Sequence, residues 1–316
     1  MTAASTDIAI FGFAAATLLH AVFAMLLLRD PQFGGLNRLA SGAFFAAVLA
    51  SVGWSLASLI DQFSPFVATR MLAMSLDWLR YGLWLLFLTA LVRPALTSSM
   101  RRPATAAASL GPLGMAVLAW WLVGAVLLVA LFSRQNDDAA VTQFTGYLLL
   151  VALGLPVLGL VLVEQLFRNL PENSRWNAKP VCLGLAAIFI FDIYQYSESI
   201  LFGRFDVDAG SVRGAVHALA LPLIFVASRR RADWIGRLQV SRKAAFYSAS
   251  LTLVGVYLLF VAGLGYAVRA LGGDWGRAMQ LALLSSALLV GLMLLLSGSI
   301  RARLKVFVGK HFYSYR

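Results

Sequence analysis

Charge is what this sequence has least of. Only 13% of its 316 residues are Asp, Glu, Lys or Arg, while 60% are hydrophobic and the mean hydropathy is +0.81. Soluble domains carry about 25% charged and 45–50% apolar residues. The few charges are bunched between long apolar runs, so no soluble surface can be assembled from them. A soluble two-domain enzyme, which the length alone would permit, is excluded. Cysteine is nearly absent too. Cys182 is the single one, and a lone thiol in an apolar run excludes an intrachain disulfide and any multi-cysteine metal site. A phosphate-binding glycine loop, a zinc signature and a hydrolase nucleophile elbow are all missing. There is no long-period repeat or low-complexity tract, and the longest polar loops, 93–112 and 168–180, are too short to fold alone.

What is there is apolar helix. A bilayer core takes about 20 mostly apolar residues per helix. Nine stretches come close to that length, at 8–28, 39–60, 66–92, 113–132, 144–166, 181–202, 212–227, 244–271 and 278–299. The seventh is short and holds His217, and the third is interrupted by Asp77 and Arg80. The sequence therefore predicts an all-α, polytopic transmembrane bundle over 1–300, of about nine helices, with eight and ten as the competing counts. The first stretch has no basic leader and no small-x-small cleavage site. It is expected to be a retained helix, not a cleaved signal.

The excess of 26 Lys and Arg over 14 Asp and Glu gives a formal net charge of +12. In a soluble protein that would raise nucleic acid as a partner. Here the cations sit in short loops and act as orientation signals, so no nucleic acid is expected. With nine helices, nineteen of them fall on the side of the loops after segments 1, 3, 5, 7 and 9. Six fall on the other: Arg70, Arg134, Arg204, Arg213, Arg269 and Arg277. Cytoplasmic loops carry the excess. The N-terminus is thus expected outside and the C-terminus in the cytoplasm.

Ionisable side chains at bilayer depth cost about 2.5–3.5 kcal/mol on insertion scales, so each needs a reason. Asp77 and Arg80 stand three apart on one face of segment 3. Segment 6 carries Asp192, Gln195, Tyr196 and Ser199 within about 100° of one another, with Glu198 on the flank. Segment 7 adds His217. Asp77, Arg80, Asp192, Gln195, Tyr196, Glu198 and His217 are therefore candidate ligand- or proton-sensing residues, placed between the midplane and the outer surface. One reading is a pocket open to the outside, in which a ligand or proton changes helix packing. The other is an internal salt-bridge network, Arg80 with Asp77 and Asp192, that fixes helix positions. Both require these side chains to face inward. His20, alone among Ala and Leu, is expected to be buried and hydrogen-bonded. Trp120 and Trp121 lie inside segment 4 and suit packing better than an interfacial belt. The sequence offers no catalytic residue and no metal ligand set, and no cofactor is assigned to this chain.

The basic stretch 301–316 is more specific. It contains Lys305-Val306-Phe307-Val308-Gly309-Lys310-His311-Phe312-Tyr313-Ser314-Tyr315. Together with the nine-segment, basic-loop architecture before it, this stretch resembles the PrsK family of sensor histidine kinases of the PEP-CTERM/exosortase system. In that family a Lys-Val-Phe-x-x-Lys-His-Phe-aromatic-x-Tyr junction follows the last membrane helix and leads into a GAF domain and a kinase core. The architecture covers the whole chain, whereas only 305–315 is motif-specific.

The resemblance implies the membrane-embedded signal-input module of a two-component system in a bacterial inner (plasma) membrane. It would control exopolysaccharide and exosortase-linked genes through a response regulator. ATP and Mg²⁺ would belong to the kinase domain, whose phosphoacceptor helix and asparagine and glycine boxes are not in this sequence. His311 is part of the junction, with no acidic residue after it, and is no phosphoacceptor. The chain is therefore expected to continue past Arg316. Arg301, Arg303, Lys305 and Lys310 are expected to rest on the anionic inner leaflet and pass the signal out. A homodimer is expected. A small-molecule transporter is the competing expectation, with the polar residues of segments 3, 6 and 7 lining a path. An odd helix count and the lack of a clear inverted repeat count against it. An intramembrane enzyme would lack a nucleophile.

Overall fold

The computed structural model describes residues 3–29, 38–92, 111–170, 172–203 and 207–229. These residues form seven α-helices: α1 Ala3–Leu28, α2 Arg38–Phe63, α3 Val67–Val92, α4 Gly111–Ser133, α5 Asp138–Asn169, α6 Glu172–Phe202 and α7 Val207–Arg229. All seven are long and apolar enough to cross a membrane, as expected of a multi-pass membrane protein. The expected segments 244–271 and 278–299 lie outside the described residues. So do the exit residues Arg301, Arg303, Lys305 and Lys310.

The helices run past the apolar stretches that signal them. The α5 helix starts at Asp138 because the Asp137 carboxylate accepts from the Ala139 and Ala140 amides, both at 3.1 Å. Its other end is closed by Arg175, which donates to the Leu170 carbonyl at 3.0 Å and to the Arg168 carbonyl at 3.4 Å. Arg175 belongs to α6, which begins at Glu172. The expected polar loop 168–180 is therefore mostly helix, with Pro180 inside it.

Six helices close a ring in the order α1, α2, α3, α5, α6, α7 and back to α1, while α4 packs outside it against α3 and α5. Small residues set the closest crossings. A Cβ at Gly214 of α7 would lie 2.7 Å from the Phe13 amide nitrogen of α1, and one at Gly12 would lie 2.8 Å from the Ala215 nitrogen. The two backbones touch there because neither glycine carries a side chain. Hydroxyls join α1 to α2, with Thr17 Oγ1 donating to Ser55 Oγ at 3.0 Å. Aromatic rings lock α4 in place. Trp121 Nε1 donates to the Trp78 carbonyl at 2.9 Å, Trp78 Nε1 donates to the Trp121 carbonyl at 3.1 Å, and each ring sits over a glycine, Gly82 and Gly124. Trp120 donates to the Val151 carbonyl of α5 at 2.8 Å. The tryptophans of segment 4 are packing residues, as their position suggested. Apolar side chains such as Phe11, Leu18, Val126, Val129 and Leu219 are exposed on the outside of the described helices, which suits an apolar surrounding such as lipid.

Candidate functional site

The ring closes around charge. Asp77 stands ten residues into α3, Asp192 ten residues before the end of α6, and His217 ten residues into α7. At about 1.5 Å per residue these lie about 15 Å from the same end of the bundle, close to half of a bilayer core of about 30 Å. In each helix the residue lies between the middle and that same end.

Two arginines and two aspartates form its centre. Arg80 donates from Nε and Nη2 to Asp77 Oδ1, at 2.9 and 2.5 Å. Arg213 donates from Nη1 to Asp77 Oδ2 at 2.7 Å and from Nε to Asp192 Oδ1 at 2.8 Å. Its Nη2 reaches Asp192 Oδ2 at 3.2 Å and the Tyr196 hydroxyl at 3.1 Å. The Tyr81 hydroxyl donates to Asp192 Oδ2. Arg213 therefore ties α7 to α3 and α6 at once. Asp192 is fully buried and Arg80 is 2% exposed, while Asp77 and Arg213 keep 15% and 11% of their side chains accessible.

His217 completes the cluster. Arg80 Nη1 lies 2.8 Å from His217 Nδ1. A guanidinium can only donate, so Nδ1 accepts and the ring proton is on Nε2. That nitrogen faces Asp192 Oδ2 at 3.8 Å. The Trp54 indole of α2 covers the arginines, its ring centroid 3.8 Å from Arg80 Cζ and 5.1 Å from Arg213 Cζ, with the His217 ring 4.8 Å away. Two guanidinium charges offset two carboxylates, and the imidazole is neutral. A neutral, mutually hydrogen-bonded set is the form in which charges are tolerated at this depth.

The structure brings together Asp77, Arg80, Asp192, Tyr196 and His217 of the sequence-derived candidates. Gln195 and Glu198 share α6 with them but stay outside the ion-pair network: Gln195 Oε1 and Glu198 Oε2 are buried without a hydrogen-bond partner. The expected Arg80–Asp192 pair is replaced. Arg80 turns to Asp77 and His217, and Arg213 takes Asp192. Sequence reasoning missed Arg213 by counting it as a loop charge, although it stands four residues before His217, one helical turn away. Tyr81 and Trp54 were hidden within apolar runs. His20 is not hydrogen-bonded into the cluster; it is buried and donates from Nδ1 to the Ala16 carbonyl at 2.7 Å, as expected.

Comparison with family models, with curated proteins and with solved structures gave no match. Function therefore rests on the chain itself. No group of three or more His, Cys, Asp or Glu side chains is arranged to hold a metal among the described residues. The arrangement does one thing plainly: it fixes α2, α3, α6 and α7 to one another through charges that cannot be separated cheaply in a low-dielectric interior.

Proposed function

We propose that this chain is the membrane-embedded signal-input part of a two-component sensor histidine kinase, nine-helical, with its N-terminus outside and its C-terminus in the cytoplasm. The observation that carries the reading is the basic junction at 305–315, whose pattern is that of the PrsK-family kinases. The geometry bears on the alternative. A transporter needs polar groups free to exchange partners with a substrate, whereas the charges of α3, α6 and α7 satisfy one another. A mutually satisfied cluster that joins α3, α6 and α7 suits an element with two discrete arrangements that a signal can bias. In this reading a small change in the pairing of Arg213 shifts α7 against α3 and α6. Sited in an inner (plasma) membrane, the chain passes the shift to a kinase core, which works as a homodimer and passes phosphate to a response regulator.

The test starts with the reading frame beyond codon 316. It should run on into GAF and kinase boxes, and membranes holding its product should take up phosphate from ATP on histidine. A stop codon directly after Arg316, or a continuing frame without kinase boxes, sinks the reading.

A further inference from the structure

We propose that the last turns of α6 hold a monovalent cation, with Gln195 Oε1, Glu198 Oε2 and Ser199 Oγ as its protein ligands. The inference goes beyond the sensor reading and does not need it, since it rests on α6 and would stand equally in a transporter.

Position comes first. Residues 195, 198 and 199 are spaced i, i+3 and i+4, which places three oxygen-bearing side chains on one helix face within a single turn. Burial comes second. Gln195 and Ser199 are each 2% exposed. Buried polar atoms almost always find a partner, and each exception asks for an explanation. Two such exceptions sit on this one turn, Gln195 Oε1 and Glu198 Oε2. Ser199 Oγ donates its only proton to the Gln195 carbonyl at 2.9 Å, so its lone pairs remain free to accept. The three oxygens are all acceptors, and the Gln195 amide protons on Nε2 do not reach Glu198 Oε2, which stays without a partner.

Charge comes third. The central cluster is neutral by itself, Arg80 and Arg213 against Asp77 and Asp192. Glu198 then adds one formal negative charge with no cation bonded to it among the described residues. One positive charge on the ligand balances it. The donor set is all oxygen, which suits hard cations and hydrogen-bonding ammonium groups and not a soft transition metal. Access is available, because Glu198 is only half-buried and stands four residues before Phe202, about 6 Å from the helix end. The shared chemistry is a small monovalent cation, from either of two sources: an alkali-metal ion or the ammonium head of an organic ligand.

The experiment follows thermal unfolding of the purified 316-residue chain in detergent. NaCl, KCl or methylammonium chloride is titrated against choline chloride at constant ionic strength, so that screening does not change. Choline is bulky and has no N–H to donate. A ligand that binds the folded state raises the midpoint with its concentration. A saturable rise with Na⁺ or K⁺ assigns an ion, and a rise with methylammonium alone assigns an ammonium head. Glu198→Gln should raise the half-saturating concentration by about tenfold or more. Should that variant not fold, Gln195→Leu is read in its place and should weaken the response in the same direction. The proposal is overturned if the midpoint is the same in all four salts, or if the rise survives the variant unchanged.

Discussion

Trp78 and Trp121 are each other's hydrogen-bond acceptors: each indole N–H donates to the other residue's backbone carbonyl, at 3.1 and 2.9 Å. The exchange requires each ring to lie flat on the facing helix, and a glycine makes room for it on both sides. A Cβ at Gly82 would stand 2.6 Å from Trp121 Nε1, and one at Gly124 would overlap the Trp78 ring. This pair attaches α4 to the ring of helices.

Gly124→Ala should therefore lower stability by about 1–3 kcal/mol, the range for overpacking a filled site. In a Trp78→Phe background the same substitution should cost clearly less, because the smaller ring can move away. A double-mutant cycle on thermal or denaturant unfolding reads the difference directly. Equal losses in the two backgrounds would mean that Trp78 does not occupy the Gly124 site.

Arg213 should matter more than Arg80. Arg213→Leu removes donors from both Asp77 and Asp192, and an unpaired buried charge costs about 3–5 kcal/mol. Arg80→Leu leaves Asp192 with Arg213 and Tyr81, and leaves Asp77 with Arg213. Its loss should be smaller, measured as the shift in unfolding midpoint under the same conditions. The reverse order would show that the cluster is held from α3 and not from α7.

Two glycine substitutions should act with opposite signs. A Cβ at Gly42 in α2 would meet nothing within 4 Å, so Gly42→Ala should stabilise by about 0.5–1 kcal/mol through helix propensity. At Gly214 a Cβ would meet backbone atoms of Phe13 and Gly12, at 2.7 and 2.8 Å, and backbone cannot swing aside. Gly214→Ala should destabilise by about 1–3 kcal/mol. Unfolding of the two variants side by side checks both signs.

Reporter fusions test the orientation. Those placed after Gln135 and after Asp208 should report the outside, and those after Arg102 and Pro171 the cytoplasm, following the bias of basic loops. Two neighbouring loops on the same side would break the alternation of the seven helices.

The seven described helices were legible because each carries an apolar stretch long enough to span a bilayer, and hydropathy needs nothing else. Their ends were not. Hydropathy begins α6 at Val181 and α7 at Val212, whereas the helices begin at Glu172 and Val207. Capping side chains and amphipathic turns extend a helix without adding apolarity. Arg213 stood one residue inside the apolar stretch and was still counted as a loop cation, because the five helical residues before that stretch, 207–211, carry too little apolarity to show that it lies well inside α7. Asp77, Arg80, Asp192 and His217 were legible because a charge or an imidazole is rare at bilayer depth. The pairing among them was not, since which cation meets which carboxylate depends on how α7 is rotated and how closely Gly12 and Gly214 allow it to approach α1. Trp54 and Tyr81 gave no signal at all: an aromatic ring in an apolar run looks the same whether it faces lipid or a guanidinium.

The contact between α1 and α7 has a consequence for biosynthesis. The helix made first has its long-term neighbour about two hundred residues downstream, across the Gly12–Gly214 crossing. Until α7 is inserted, α1 has only α2 to lean on, through Thr17 and Ser55. Arg213 likewise arrives after both of its carboxylates, so Asp77 and Asp192 must wait, within their apolar helices or close to the translocon, for the cation that neutralises them. Assembly of this ring is governed by its last member, and a ribosome that stops before α7 leaves behind two buried aspartates with a single arginine between them.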